Sequence, residues 1–190
     1  KTEWDGLVPA VQSGKIDALI AGMSPTAERK ESIDFTDVYY TSDLVMVVKK
    51  GGKYENATKL SDFKGATITG QLNTFHYTVI DQIDGVKKDT AMDNFPAMRV
   101  ALESGKIDGY VSERPEGVSA TSANKNFAMV EFADGQGFKT SDEDTAIAVG
   151  LKKDSDLKDK INKILAGISE DERKDLMDQA IKDQPASEDN

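Results

Sequence analysis

The chain has 190 residues, enough for one domain or two small ones, with 38% apolar residues and a formal net charge of −10. That charge argues against nucleic acid or an anionic membrane surface as partner. The absence of cysteine excludes a disulfide framework or a thiolate metal site, and no apolar run approaches the ~18 residues needed to span a bilayer. Asp5 is placed to cap a helix over 6–13, and a strand over 16–21 follows. Ser24 with Pro25 predicts the cap and first turn of a short helix ending near Ser32. Ile33 and Phe35 lead a strand toward Tyr39 and Tyr40, and 44–48 is a continuous apolar, β-branched run that reads as a buried strand. The turn 49–53, a helical turn over 60–65, a strand over 66–69, a helix over 75–83 and a short strand at Val86 come next. Asn94 and Pro96 open a helix that stops at Gly105, and a strand over 107–112 leads into a helix from Arg114 to near Asn124. Strands over 128–132 and 145–151 flank a polar, irregular stretch. Ser155 starts an amphipathic helix, Ser169 and Glu172 form a capping box for the last one, and the acidic tail beyond Pro185 reads as frayed.

One pentapeptide occurs twice. Ser13-Gly14-Lys15-Ile16-Asp17 recurs as Ser104-Gly105-Lys106-Ile107-Asp108, and Leu7, Ala10 and Val11 upstream match Met98, Ala101 and Leu102. Both copies read as helix, glycine stop, buried strand. Two such units predict an α/β chain of two related lobes, 1–42 plus 145–190 and 43–144. The chain crosses between them at two hinges, near 40–44 and 141–146. Two lobes imply a cleft, and a cleft implies a ligand.

Ligands of open parallel α/β sheets bind beyond the carboxyl ends of the strands. The repeat places Gly22, Met23 and Ser24 at one such end, with Arg29 one turn on, and Glu113 at the other. These residues suit a zwitterion. Arg29 offers a planar fork for a carboxylate and Ser24 a hydroxyl, and the helix starts at 24–27 and 73–75 offer amides. Thr74 adds a second hydroxyl, Glu113 a counter-charge for an ammonium, and Trp4 and Phe75 apolar walls. Each has a plainer reading. Arg29 sits among charged neighbours on a helix surface, Ser24 serves as a cap, Glu113 pairs with adjacent Arg114, Trp4 is core, and His76 is a surface residue. No nucleophile elbow, Walker loop, dinucleotide fingerprint, zinc-protease motif or EF-hand spacing is present, so binding without chemistry, cofactor or metal is the simpler expectation.

The runs Trp4-Asp5-Gly6-Leu7-Val8-Pro9-Ala10, Ser13 to Ala18, Ala21-Gly22-Met23-Ser24-Pro25-Thr26-Ala27-Glu28-Arg29-Lys30 and Ile33 to Tyr40 strongly resemble the polar amino-acid-binding proteins of ABC importers. These are bacterial extracellular solute-binding proteins of family 3. The resemblance implies a type II periplasmic-binding-protein fold. It also implies extracellular or periplasmic location, with or without a lipid anchor, a polar L-amino acid as ligand and a membrane permease as partner. By position, Arg29 would hold the α-carboxylate, and Ser24 and the Gly22 carbonyl would bind carboxylate and ammonium. Thr74, with its neighbours Asn73 and Phe75, would add contacts from the second lobe. Glu113 would meet the ammonium, and Trp4 would stand at an aromatic wall. The family often has glycine where this chain has Asn73, a small residue at Phe75 and Asp at Glu113. Family members also carry a further strand–helix–strand ahead of the Trp4 segment. Its lack would truncate lobe 1 and expose a sheet edge beside strand 16–21, predicting reduced or absent ligand binding or an edge-paired homodimer. The alternatives are an enzyme like the cyclohexadienyl dehydratases, with Glu113 or His76 as general acid, or a ligand-sensing interaction domain.

Overall fold

The computed structural model describes residues 2–183, so the tail beyond Pro185 lies outside the described residues. The chain divides into two compact units, Lys1–Ser42 with Ser141–Ala180, and a second built on Asp43–Thr140. The segment 141–144 thus falls in the first unit.

The first unit opens with a 3-10 turn, Trp4–Gly6, that runs into α1 (Leu7–Gln12). Asp5 lies inside that turn and does not cap the helix, which begins after Gly6. The apolar run over 16–21 pairs for only two residues, β1 (Ala18–Leu19). α2 (Ala27–Ser32), β2 (Asp34–Phe35) and β3 (Tyr40–Thr41) follow. The expected single strand toward Tyr40 is therefore two short ones. Val11, Leu19, Met23, Ile33 and Phe35 form the unit's core with Ala148.

The second unit is organised by β4 (Leu44–Lys49), whose first five residues are all buried. β5 (Thr67–Thr69), α3 (Phe75–Thr78), β6 (Lys87–Lys88), α4 (Phe95–Ser104), β7 (Gly109–Glu113), α5 (Arg114–Ala123) and β8 (Phe127–Val130) complete it. The sheet order is β6-β5-β7-β4-β8. β5 runs parallel to β6 and β7, whereas β4 runs antiparallel to β7 and β8. The sheet is mixed rather than parallel throughout. β4 reads as an unbroken apolar run because both its faces are covered: Met46 packs with Phe63, Ile68, Ile80 and Val111, and Val47 with Met98, Leu102, Ile107 and Tyr110.

The chain returns to the first unit through α6 (Asp142–Thr145), β9 (Ala146–Ile147), β10 (Gly150–Leu151), α7 (Leu157–Leu165) and α8 (Glu170–Asp183). The polar stretch before Thr145 ends in a helical turn because Ser141 and Asp144 form a capping box. β9 pairs with β3, and β10 lies between β1 and β2, all antiparallel. Among the described strands β1 pairs with β10 alone. At the start of α8 the Ser169 hydroxyl accepts the Glu172 amide at 3.2 Å.

The repeat is a repeat of hydrogen bonding. In the first copy the amides of Lys15 and Ile16 donate to the Ala10 carbonyl at 2.9 and 3.3 Å; in the second those of Lys106 and Ile107 donate to Ala101 at 2.9 and 3.4 Å. The Ser13 and Ser104 hydroxyls donate to the same two carbonyls at 3.2 and 3.0 Å. The closure needs a left-handed residue between serine and lysine. Gly14 and Gly105 supply it with φ of 73° and 77°. Asn94 starts the second helix by accepting the Ala97 amide at 3.0 Å.

Candidate functional site

In the first unit, the chain leaves β1 through Gly22, whose φ is 67°, and turns into Met23 and Ser24. The Met23 side chain is 1% exposed in the core, so its carbonyl, which accepts the Ala148 amide at 3.2 Å, is its polar contribution. Ser24 is not the cap of α2. Its hydroxyl donates to the Asp144 carbonyl at 2.7 Å, and Thr26 caps the helix by accepting the Arg29 amide at 3.4 Å. Pro25 therefore precedes the cap. The Ser24 carbonyl accepts from the Thr26 amide and from Arg29 Nη1, both at 3.0 Å. The Arg29 guanidinium lies 5.8 Å from the Trp4 ring centroid, within cation–π range. Trp4 itself packs half-buried on the core. Burial pulls Arg29 below the usual arginine range, against the raising influence of the Glu28 and Asp144 carboxylates. An arginine so shifted is still a cation at neutral pH. α2 has six residues, and its amides at 26 and 29 already have partners. The helix start is therefore a weaker anion site than the sequence suggested, and the weight falls on the guanidinium.

In the second unit, β5 and β7 are parallel neighbours, so their carboxyl ends lie side by side. The chain beyond β5 carries Thr74 and His76, and β7 ends on Glu113. Gly70 lets the turn into α3 close on the strand, since a Cβ there would lie 2.7 Å from the His76 carbonyl oxygen. Asn73 adopts φ of 56°, a left-handed conformation that its short polar side chain tolerates. The Thr74 side chain is buried and its hydroxyl donates to the Gln71 carbonyl at 2.8 Å. Phe75 packs half-buried on the core and lies 4.6 Å, centroid to centroid, from the His76 ring.

His76 is not a surface residue. It is 6% exposed, and its Nε2 lies 3.5 Å from Glu113 Oε1. Arg114, the expected surface partner of Glu113, pairs instead with Glu131 at 2.9 Å. Sequence reasoning missed His76 because it read the residue after a cap as outward-facing. The one available signal was Gly70, which marks a close backbone approach. Behind β7, Glu116 collects Arg99 Nε and Nη2 at 3.1 and 2.7 Å, the Ser112 hydroxyl at 2.8 Å and the Tyr110 hydroxyl at 3.3 Å. Burial and the Glu116 carboxylate push the Tyr110 hydroxyl well up, so it stays a donor. This network ties α4, β7 and α5 together immediately beside Glu113. Among the described residues no group of three or more histidines or carboxylates could hold a metal ion, and no helix is long and apolar enough to cross a membrane.

The model of bacterial extracellular solute-binding proteins, family 3, matches residues 1–182. The chain belongs to that family. It is 29% identical over 169 residues to the arginine-binding extracellular protein ArtP of Bacillus subtilis, covering 86% of this chain and 62% of ArtP. It is 31% identical over 180 residues to the ABC transporter glutamine-binding protein GlnH of the same species, covering 94% of this chain and 63% of GlnH. The chain thus spans less than two thirds of these relatives. Among solved structures, the amino acid ABC transporter substrate-binding protein AbpA of Streptococcus pneumoniae, bound to L-arginine, is similar with a TM-score of 0.79 and 26% identity, over 95% of this chain and 74% of that one. The fold is that of the family's amino-acid-binding proteins, α/β in both units.

Proposed function

We propose that the protein is the extracellular receptor of an ABC importer, that it captures a polar L-amino acid and that it hands it to a membrane permease. Unit 1 supplies the partner of the α-carboxylate, Arg29, with Ser24 and the Gly22 carbonyl beside it. Unit 2 supplies the partner of the α-ammonium, Glu113, with Thr74 nearby. Trp4 supports the guanidinium through its ring. The observation that carries this reading is Arg29, a half-buried cation oriented by the Ser24 carbonyl and the Trp4 ring, as a bidentate carboxylate site requires. The names of the relatives, arginine- and glutamine-binding, support a polar side chain. The same names, which are those of binding proteins, favour a receptor over a dehydratase.

The test is a thermal-shift screen of the full chain against the twenty L-amino acids. A ligand at a hundredfold excess over its Kd stabilises by about 2.7 kcal/mol. That is expected to raise the melting temperature by roughly 5–10 °C for L-arginine, L-glutamine or L-histidine. A flat response to all twenty, with no calorimetric heat, would contradict the reading.

A further inference from the structure

We propose that His76 controls, through its own proton, how strongly Glu113 can hold a ligand ammonium, so that acidification releases the ligand. The inference rests on the proposed amino-acid site and concerns its regulation.

The geometry leaves the imidazole with one place for a charge to go. The His76 side chain is 8% exposed, and neither Nδ1 nor Nε2 has a hydrogen-bond partner. Its Nε2 stands 3.5 Å from Glu113 Oε1, whose side chain is 16% exposed. The elements packed around it present the rings of Phe75 in α3 and Phe95 at the start of α4, the backbone of Gly70 at the end of β5, and the Glu113 carboxylate at the end of β7. Other charged or titratable groups on these elements and their neighbours are engaged elsewhere. Arg99 of α4 and Tyr110 of β7 bond Glu116, Glu103 of α4 accepts from the Asn124 side-chain amide, Arg114 of α5 pairs with Glu131, and Lys88 of β6 pairs with Asp81 over the Tyr77 ring.

A neutral imidazole leaves the full negative charge of Glu113 for an arriving ammonium. A protonated one pairs with that carboxylate and also repels the ammonium, in surroundings poor in water where such forces are strong. Histidine is the side chain whose ordinary charge change falls between about pH 5 and 8. Proton and ligand therefore compete for Glu113. Ligand affinity should fall as pH falls, and by reciprocity bound ligand should make His76 harder to protonate by the same factor.

The chain has a single histidine, so its imidazole NMR resonances need no assignment by mutation. The experiment is an NMR pH titration of the full chain, alone and saturated with L-arginine or with L-glutamine, whose side chain carries no charge. The expected result is a roughly tenfold loss of calorimetric affinity on acidification, matched with either ligand by a displacement of the His76 titration of the same factor. In His76→Gln the affinity should be independent of pH between 5 and 8, whatever its absolute value. Should a variant fail to fold, the titration of the unaltered protein decides alone. Ligand that binds at pH 8 yet leaves the midpoint unmoved would overturn the proposal while leaving the amino-acid site intact. Absence of binding at pH 8 to any amino acid would instead remove the site and the proposal with it.

Discussion

Arg29→Ala is expected to weaken binding of the L-amino acid at least a hundredfold, about 3 kcal/mol, with little change in folding. The large effect follows from what the substitution takes away from the ligand. A carboxylate deprived of its charged, bidentate partner stays desolvated without a counter-ion, at a typical loss of about 2–5 kcal/mol. The small effect on folding follows from what remains. The Ser24 carbonyl keeps the Thr26 amide at 3.0 Å, and the Thr26 cap does not involve the arginine side chain. The cation–π interaction with Trp4 and the hydrogen bond to the Ser24 carbonyl disappear, together about 1 kcal/mol. Arg29→Lys should fall between, because an ammonium keeps the charge and loses the planar fork. Calorimetric titration together with circular-dichroism melting of the full chain checks both halves of the expectation. Near wild-type affinity in Arg29→Ala would count decisively against the assignment.

Glu116→Ala is expected to destabilise the second unit by about 3–5 kcal/mol, the cost of removing one partner from a buried ion pair. Three groups converge on this carboxylate; the deletion takes the ion pair from Arg99 and the acceptor from the Tyr110 hydroxyl, while the Ser112 hydroxyl keeps the Glu113 carbonyl at 3.1 Å. The Arg99 and Glu116 side chains are 21% and 14% exposed, and Ser112 and Tyr110 are fully buried. Glu116→Gln keeps the shape and one acceptor oxygen, so it should cost less than the alanine variant. Urea unfolding of the two variants beside the wild type measures the difference. A loss under 1 kcal/mol in Glu116→Ala would show that the network contributes no more than an ordinary surface pair. The network also stands immediately behind Glu113, so its loss should weaken ligand binding.

The features legible in the sequence are those that a few local residues determine. The Asn94 cap, the Gly105 stop and the five buried residues of β4 each follow from one residue type in one backbone role. The repeated pentapeptide likewise predicts a helix and a glycine stop twice over, and both copies make the same three hydrogen bonds. What escaped depends on partners distant in the chain. The apolar run 16–21 looks like a full strand, but only Ala18 and Leu19 find pairing on β10, more than a hundred residues later. Ser24 looks like a cap because it precedes Pro25, yet its hydroxyl goes to the Asp144 carbonyl across the unit while Thr26 takes the local role. The direction of β4 against β7 is likewise a tertiary fact, invisible to periodicity. Of the candidate site, Arg29 and Glu113 were proposed from their chemistry alone. The Met23 side chain proved to be core, and His76 came into view only with the close approach at Gly70.

The central claim, that the protein reads both charged groups of an α-amino acid, is tested most directly by calorimetric titration of the full chain with L-arginine, with agmatine, which lacks the carboxylate, and with 5-guanidinovalerate, which lacks the ammonium. With L-arginine as one of the expected ligands, the account predicts saturation by it and at least hundredfold weaker binding of each analogue. Equal affinity for L-arginine and either analogue would contradict it.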